Sequence, residues 1–422
     1  ALDRPEYADY WALVWSDILL VDRQKLGERG AYELHRWLRE QFASNRGYDE
    51  WVSDLMTATG NSGTNGPVNL FRAAETPEEL ARTVSQAFLG VRMECAQCHH
   101  HPFEKWSQDD FYSLAGYFNG LERKPIAPGR VFVYHTGLKE TRIPLSNKLV
   151  SVRPLDGEAL TTSEGDPRRE LARWLTAADN PWFAKLAANR LWKHFLGRGL
   201  VEPEDDIRST NPATNEPLLT LLSGNLVEHH FDLKALMRLI MNSRTYQLAS
   251  ETRPGNALDG RFNSHYYPRR LQAEVLLDAL VQSTGQPEKF PGYPLGVKAV
   301  QVPDPQVDSY FLTVFGRSSR VTACACERSG DVTLPQLLHL HGGAELSRKI
   351  SAADGRLAIL LNSQTDNDKL TDELFLSTFN RLPKEGERAS VQNVIAGGAP
   401  RVEVFQDLLW ALLNSQEFAF NH

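Results

Sequence analysis

Cysteine is scarce in this sequence, with only four residues in a chain of 422, at positions 95, 98, 324 and 326. Four are too few for a disulfide scaffold in a chain of this length, and their grouping into two close pairs favours a cofactor or a metal. Long apolar stretches are also missing. The longest, at 218–222 and 408–413, fall far short of the roughly 20 residues that span a bilayer. We therefore expect no membrane span.

Runs of basic residues are absent as well. The net charge is −7, the pI is near 6.0 and the two signs are evenly mixed, which makes nucleic acid an unlikely partner. The first ten residues hold acids and a proline but no apolar core, so they are not a signal peptide, although a trimmed secreted protein would look the same. The sequence contains no Gly-x-Ser-x-Gly, no His-Glu-x-x-His and no phosphate-binding glycine loop. Whether the protein is an enzyme stays open.

The pattern of apolar residues predicts a mainly α-helical fold. Hydrophobic residues make up 41% and charged residues 23%, the balance of a globular protein. Apolar residues recur at helical spacing from the N-terminus onward, as in Trp11, Trp15 and Ile18. The length predicts two or three domains. We assign a helical domain to 1–125, a small β-containing insert to 126–165 and a second helical domain to 166–422.

Local signals place helices on both sides of the first cysteine pair. Thr76, Pro77 and Glu79 form an N-cap, a first-turn proline and a capping-box acid, which predicts a helix that ends near Gly90 and leads to Cys95. Ser107 predicts the N-cap of the next helix. The composition of 130–135 predicts a strand. Further helices are predicted over 215–229, 232–242, 268–284, 333–350, 371–380 and 402–416.

The spacing Cys95-x-x-Cys98-His99 is the arrangement that covalent haem attachment requires. Two thiols bond to the two vinyl groups of the porphyrin, and the adjacent imidazole then lies beneath the iron as an axial ligand. The spacing therefore predicts a haem c site with Cys95 and Cys98 as attachment points and His99 as ligand.

The second cysteine pair keeps another interpretation open, because haem attachment does not use it. If Cys324 and Cys326 approach Cys95 and Cys98, four thiolates would form a tetrahedral zinc site or an iron–sulfur cluster. His99 and His101 would then be additional candidate metal ligands. A Cys-x-x-Cys pair followed by histidine also occurs in zinc sites, so the first motif does not separate the two interpretations.

Two acidic features have weaker functional interpretations. Glu104 is placed to hold His101 or His99 by a hydrogen bond, as metal-bound imidazoles usually require, or else to form a solvated ion pair in a turn. The acidic segment 202–206 has the composition of a calcium site or of a glycosidase carboxylate pair. A solvated loop is the simpler interpretation, and it is the one we expect.

Several segments resemble a known pair of domains. Residues 3–12, 45–49 and 88–106 resemble the cytochrome-associated domain of large secreted planctomycete proteins. Residues 189–201, 243–246, 268–274, 324–328 and 409–418 resemble its usual C-terminal partner domain. The resemblance implies a periplasmic or extracellular setting, a cytochrome c domain upstream in a longer precursor, and a site at Cys95, Cys98 and His99, with Cys324 and Cys326 as part of the pattern. Both domains are largely of unknown function.

Two functions from different classes follow. The first is a periplasmic or extracellular haem-c-type protein for electron transfer or a redox step, partnered by an upstream cytochrome c domain or another redox protein. The second is a binding or scaffolding module in which zinc or an iron–sulfur cluster joins the two domains. A carbohydrate-active enzyme is a third hypothesis, and it depends only on the secreted setting and the acidic segment.

Overall fold

Helices dominate the structure, a computed structural model that describes residues 2–144, 146–161, 165–321 and 344–421. Helices account for 51% of the described residues and strands for 6%, and the sheets are small and separate. This confirms the predicted mainly α fold. Among the described residues, no helix is both long and apolar enough to cross a membrane.

Helices and short strands alternate along the chain. The first six helices are α1 Pro5–Ile18, α2 Arg23–Ala43, α3 Tyr48–Thr57, α4 Leu70–Ala73, α5 Pro77–Val84 and α6 Gln108–Ala115. The strands are β1 Gly60–Asn61, β2 Leu121–Ala127, β3 Arg130–His135, β4 Thr141–Arg142, β5 Leu149–Val150, β6 Arg269–Arg270 and β7 Phe420–Asn421. The remaining helices are α7 Arg168–Leu175, α8 Phe183–Leu196, α9 Glu216–Glu228, α10 Leu233–Met241, α11 Ala273–Thr284, α12 Tyr310–Val314, α13 Ala344–Ile350, α14 Arg356–Ser363, α15 Asn367–Phe379, α16 Glu385–Ala396, α17 Arg401–Leu413 and α18 Gln416–Ala419.

Most of the predicted helices are present with ends shifted by a few residues. The prediction over 333–350 is matched by α13, and its first part lies outside the described residues. The short helices α4, α12 and α18 were not predicted, and neither were the longer helices α14 and α16. Each of the two longer helices buries only one residue, Leu357 in α14 and Val391 in α16.

The predicted strand at 130–135 is β3, and it lies in the centre of a three-stranded antiparallel sheet of order β1-β3-β2. Leu121 pairs with His135 and Gly60 pairs with Val133, so β1 comes from the segment before the first cysteine pair. The sheet therefore draws β1 from residues 60–61, and β2 begins at residue 121, so both lie ahead of the start of the predicted insert.

By packing, the described chain divides into two compact units. The first holds residues 2–267, 303–306 and 319–321, and the second holds 268–302, 307–318 and 344–421. The core of the first unit draws on residues from both sides of the predicted insert, as in the stacked rings of Tyr48 and Phe183, whose centroids lie 4.5 Å apart. The predicted domain boundaries near 125 and 166 stay a prediction from the sequence, since packing divides the chain at a different place.

The second unit contains a carboxylate that should make its stability depend on pH. Asp278 in α11 accepts hydrogen bonds from the backbone N–H groups of Ala299 and Val300 at 2.7 and 3.2 Å. Burial raises the pKa of Asp278 from 3.8 to about 6, Glu274 adds to the rise, and the two N–H donors and Lys298 oppose it. A raised folded-state pKa favours the protonated form on folding, so this contribution is fully present below pH 3.8 and is lost as the pH rises through about 6.

In the wild type, ionisation of Asp278 should lower the free energy of unfolding of this unit by up to about 3 kcal/mol as the pH rises. We expect Asp278→Asn to lack this pH-dependent decrease. Asparagine keeps one acceptor oxygen and cannot ionise in this range. The free energy of unfolding of the second unit in urea, measured below pH 3.8 and above about pH 6, gives the effect. Asp407→Asn is the control because Asp407 is exposed on α17. Equal pH dependence in wild type and Asp278→Asn would contradict this account.

Candidate functional site

The chain reaches the first cysteine pair through a capped helix, as the sequence predicts. The Thr76 side chain accepts from Glu79 N–H, and the Glu79 carboxylate accepts from Thr76 N–H, which completes the capping box of α5. After Val84 the helix continues as a π-helical turn over Ser85–Leu89 and ends at Gly90. Gly90 has a left-handed φ of 66°, a conformation that glycine adopts without strain.

Cys95 and Cys98 lie on a single turn of 3₁₀ helix that spans Cys95–Gln97. The carbonyl oxygen of Cys95 accepts from the N–H groups of Cys98 and His99, both at 3.2 Å. Side chains three residues apart in a 3₁₀ turn lie above one another, so the two thiols share one side of the turn. Both cysteines are free and exposed, whereas Ala96 between them is buried. The turn therefore presents two accessible thiols.

His99 is exposed next to these thiols, and its ring is held in a definite state. His99 Nδ1 lies 2.6 Å from the carbonyl oxygen of His100. A carbonyl oxygen can only accept, so the ring N–H in this contact is on Nδ1 and the lone pair of the neutral ring is on Nε2. Imidazoles that bind metals commonly donate their other N–H in this way. The arrangement fits the donor set that haem c requires.

The residues after His99 form a turn with a different hydrogen-bonding pattern from the predicted one. His101 N–H donates to the carbonyl of Trp106 at 2.8 Å, and His101 Nδ1 accepts from Phe103 N–H at 3.2 Å. Glu104 accepts from Thr210 Oγ1 at 3.2 Å. The structure thus pairs Glu104 with a threonine, and it gives no support to the predicted hydrogen bond to His101 or His99.

Helix α6 fixes the other side of the turn. Its predicted N-cap is correct: Ser107 and Asp110 form a capping box. Gln108 Nε2 in the first turn of α6 donates to the carbonyls of Gln97 and Cys98 at 3.1 and 2.8 Å. The backbone of the motif is therefore tied to a helix that packs against α5.

Cys324 and Cys326 lie outside the described residues, so their relation to Cys95 and Cys98 stays a prediction. Among the residues that are described, no group of three or more His, Cys, Asp or Glu side chains is placed to hold a metal ion. A cleft lies beside the motif, and its lining includes Glu94, Arg82 and Val321. Val321 is the last residue described before the second cysteine pair.

The acidic segment 202–206 is largely buried, so the expected solvated loop is wrong. Glu204, Asp205 and Asp206 are 7%, 1% and 8% exposed. Lys193 pairs with Glu202 and Glu204, and Arg208 pairs with Asp206 at 3.1 Å. Buried acids persist when each has a cationic or hydrogen-bonding partner, as these do. The segment therefore offers no free carboxylate pair for calcium or for glycoside hydrolysis.

Sequence reasoning did not find the residues that hold the motif from outside. Asp205 accepts from Arg92 and Gln86, and Arg190 donates to the carbonyls of Gln86 and Ala87. These partners are more than 100 positions apart in the chain, so no local pattern links them. From the sequence, Asp205 could be recognised only as one member of the acidic segment 202–206.

Two family models match the chain. The PSD1 model, described as a protein of unknown function (DUF1553), matches residues 167–395, and the PSCyt2 model, described as a protein of unknown function (DUF1549), matches residues 1–123. No curated protein and no solved structure matches. The two matches confirm the predicted pair of domains, while planctomycete origin and secretion stay predictions.

Proposed function

Since the chain belongs to the PSD1 family of proteins of unknown function, we propose a function from its own residues: it is a haem-c-type redox protein. In this proposal Cys95 and Cys98 are the attachment points and His99 is the axial ligand. The observation that carries it is the pair of exposed thiols on one turn, next to an imidazole whose Nδ1 is bonded to a carbonyl.

Two thiols and one imidazole are the groups that attachment of haem c needs. Cys95 and Cys98 would each add S–H across one vinyl group, with sulfur bonding to one carbon and hydrogen to the other, so no oxidant is consumed. His99 would bind through Nε2 while Nδ1 keeps its bond to His100 O. A haem held there supplies the one-electron chemistry of iron.

The exposure of the motif suits electron exchange with another protein. Cys95, Cys98 and His99 are all exposed, so a partner can approach the site closely. The proposed partner is an upstream cytochrome c domain or another redox protein, and the proposed location is the periplasm or the extracellular space. Support for both comes from the domain pair.

The test is to produce the full chain in a host that attaches haem c and to measure covalent haem by the pyridine haemochrome spectrum. We expect wild type to carry covalent haem and the Cys95→Ser/Cys98→Ser variant to carry none. His99→Ala should keep the thioethers but change the spectrum of the iron. His100→Ala is the matched control because it retains the carbonyl that accepts from His99. A wild-type chain without covalent haem would overturn the proposal.

A second candidate is a binding or scaffolding module with zinc or an iron–sulfur cluster held by Cys95, Cys98, Cys324 and Cys326. One observation favours it: Glu94, which precedes Cys95, and Val321, three positions before Cys324, line the same cleft. Three residues span at most about 11 Å. Elemental analysis of the same preparations separates the candidates, since stoichiometric zinc or non-haem iron that disappears in Cys324→Ala supports the second one.

A further inference from the structure

The segment that carries the chain into the motif has no regular structure of its own. Residues 90–94 belong to no helix or strand, and they connect the π-helical turn at Gly90 to the 3₁₀ turn at Cys95. The direction in which the thiols and His99 face therefore depends on what holds this connection in place.

A loop from the other family match, around Asp205, holds the connection at two points. Asp205 Oδ1 lies 2.5 Å from Arg92 Nη2, and Asp205 Oδ2 accepts from Gln86 Nε2. The backbone is bonded too, since Ile207 N–H donates to the carbonyl of Gly90 at 2.7 Å. One buried carboxylate thus joins residues on both sides of Gly90.

The close approach at Gly90 shows how tightly this loop packs against the connection. A Cβ added at Gly90 would lie 3.0 Å from Leu186 Cδ1 and 3.2 Å from Ile207 Cγ1, and the φ of 66° would be strained for any other residue. Arg190 adds a further constraint, because its guanidinium donates to the carbonyls of Gln86 and Ala87. The segment is therefore fixed in position as well as in direction.

Asp205 cannot lose its hydrogen-bonding partners without a large cost in folding free energy. The residue is 1% exposed, and both carboxylate oxygens accept from side chains of the segment that leads to the motif. Burial alone would lower the pKa of Arg92, but the hydrogen bond and charge of Asp205, with smaller contributions from Asp206 and Glu94, outweigh burial and raise that pKa. Removing the partner of a buried charge strongly destabilises the folded protein. The Asp205–Arg92 pair should therefore hold residue 92 in one position.

We propose that Asp205 is a positioning residue for the haem site, acting through Arg92 on the orientation of Cys95, Cys98 and His99. The site would then belong to both family matches, with the reactive side chains in 1–123 and the group that orients them in 167–395. This inference rests on the proposed function for its consequence, but the geometry it invokes can be tested without haem.

The first measurement uses the full chain, reduced and free of haem. Limited alkylation with iodoacetamide, followed by peptide mass spectrometry, gives the ratio of modified Cys95 to modified Cys98. We expect Asp205→Asn to shift this ratio, because Arg92 loses its charged partner at position 205 while both thiols stay exposed. Arg92→Gln should shift it in the same direction, and Arg92→Lys should restore much of the wild-type ratio. Arg92 is one-third exposed, so its variants carry the test if Asp205→Asn does not fold.

Asp206→Asn is the matched control. It makes the same change of charge in the next residue, which is also buried and has its ion pair with Arg208. The charge of Asp206 also raises the pKa of Arg92, by less than Asp205 does, so the control keeps the hydrogen bond of Asp205 and removes only this weaker charge effect. An alkylation ratio in Asp205→Asn and Arg92→Gln that equals the Asp206→Asn value would overturn the inference. A general loss of stability would affect Asp205→Asn and Asp206→Asn alike, and thermal unfolding of each variant identifies it.

The second measurement uses chains produced with haem attachment. We expect the fraction of chains with both thioethers to fall about tenfold in Asp205→Asn. Replacing a residue that supports a metal ligand commonly lowers metal affinity or activity by about 10-fold to 100-fold, and we expect the lower end of this range. Wild-type chains that carry no haem, together with a shifted alkylation ratio in Asp205→Asn, would reject the proposed function and keep the positioning role. Wild-type chains that carry haem, together with an unchanged alkylation ratio in Asp205→Asn, would keep the proposed function and reject the positioning role.

Discussion

Replacing Arg320 by methionine should lower the free energy of unfolding of the first unit by about 3–5 kcal/mol, the usual result of removing one partner of a buried ion pair. Arg320 is 3% exposed, and its Nε donates to Asp17 Oδ1 at 2.8 Å. Its Nη1 donates to the carbonyls of Val21 and Pro303 at 2.5 and 2.6 Å. Methionine fills much of the space but leaves the Asp17 carboxylate buried without this charge.

Denaturant unfolding of the full chain measures this effect. Arg173→Met is the control in the same unit, because Arg173 is 73% exposed and pairs with an exposed Glu170, an interaction worth about 0–1 kcal/mol. The double variant Asp17→Asn/Arg320→Met should be less destabilised than the sum of the single variants, since it leaves no unpaired buried charge. A loss in Arg320→Met as small as in the control would contradict the role of the pair.

Acid should destabilise the first unit well before its carboxylates are protonated, because His35 is buried in the neutral form. His35 is 5% exposed, and its Nδ1 lies 3.0 Å from Ser16 Oγ. Burial, together with the charges of Arg320 and Arg39, lowers the pKa of His35 from 6.5 to about 3, and the charges of Asp9 and Asp17 oppose this shift. The ring is thus surrounded by two arginines and two aspartates that belong to paired networks.

The sign of the pH dependence follows from the lowered pKa. Between about pH 3 and 6.5 the unfolded chain binds a proton at His35 that the folded chain does not. The stability is therefore fully present above pH 6.5 and is lost as the pH falls toward 3, by an amount on the order of 4 kcal/mol. His35→Gln removes the titrating group, so its unfolding free energy should change less over this range.

Measurements of unfolding free energy across this pH range test the role of His35. The comparison is with His229→Gln, which changes an exposed histidine of the same unit and should keep the wild-type slope. If His35→Gln loses stability on acidification as steeply as wild type, another group is responsible for the acid sensitivity.

Much of the local structure around the motif was predictable because short-range signals specify it. The capping boxes at Thr76 and Ser107 determine where α5 and α6 begin, and the spacing of Cys95, Cys98 and His99 predicts the candidate site between them. In each case the interacting groups lie within a few residues of one another, so the sequence pattern directly predicts which groups are in contact.

The environment of the motif was not predictable, because its partners are distant in sequence. Asp205 was expected in a solvated loop, yet it is buried and bonded to Arg92 and Gln86. The pattern of a charged cluster does not show whether each charge finds a partner, and only partnered charges are stable when buried. Helices α14 and α16 were also missed, and each buries only one residue in the structure.

The stacked rings of Tyr48 and Phe183 have a practical meaning for anyone who isolates the thiol-bearing region. A fragment cut near residue 125 would leave Tyr48, which is fully covered in the intact chain, exposed to water, along with the unpaired Arg92. Such a fragment should aggregate or remain unfolded, because the described part of the first unit also includes residues 126–267, 303–306 and 319–321. Recombinant work on related chains should follow the packing boundary and not the edge of the sequence match.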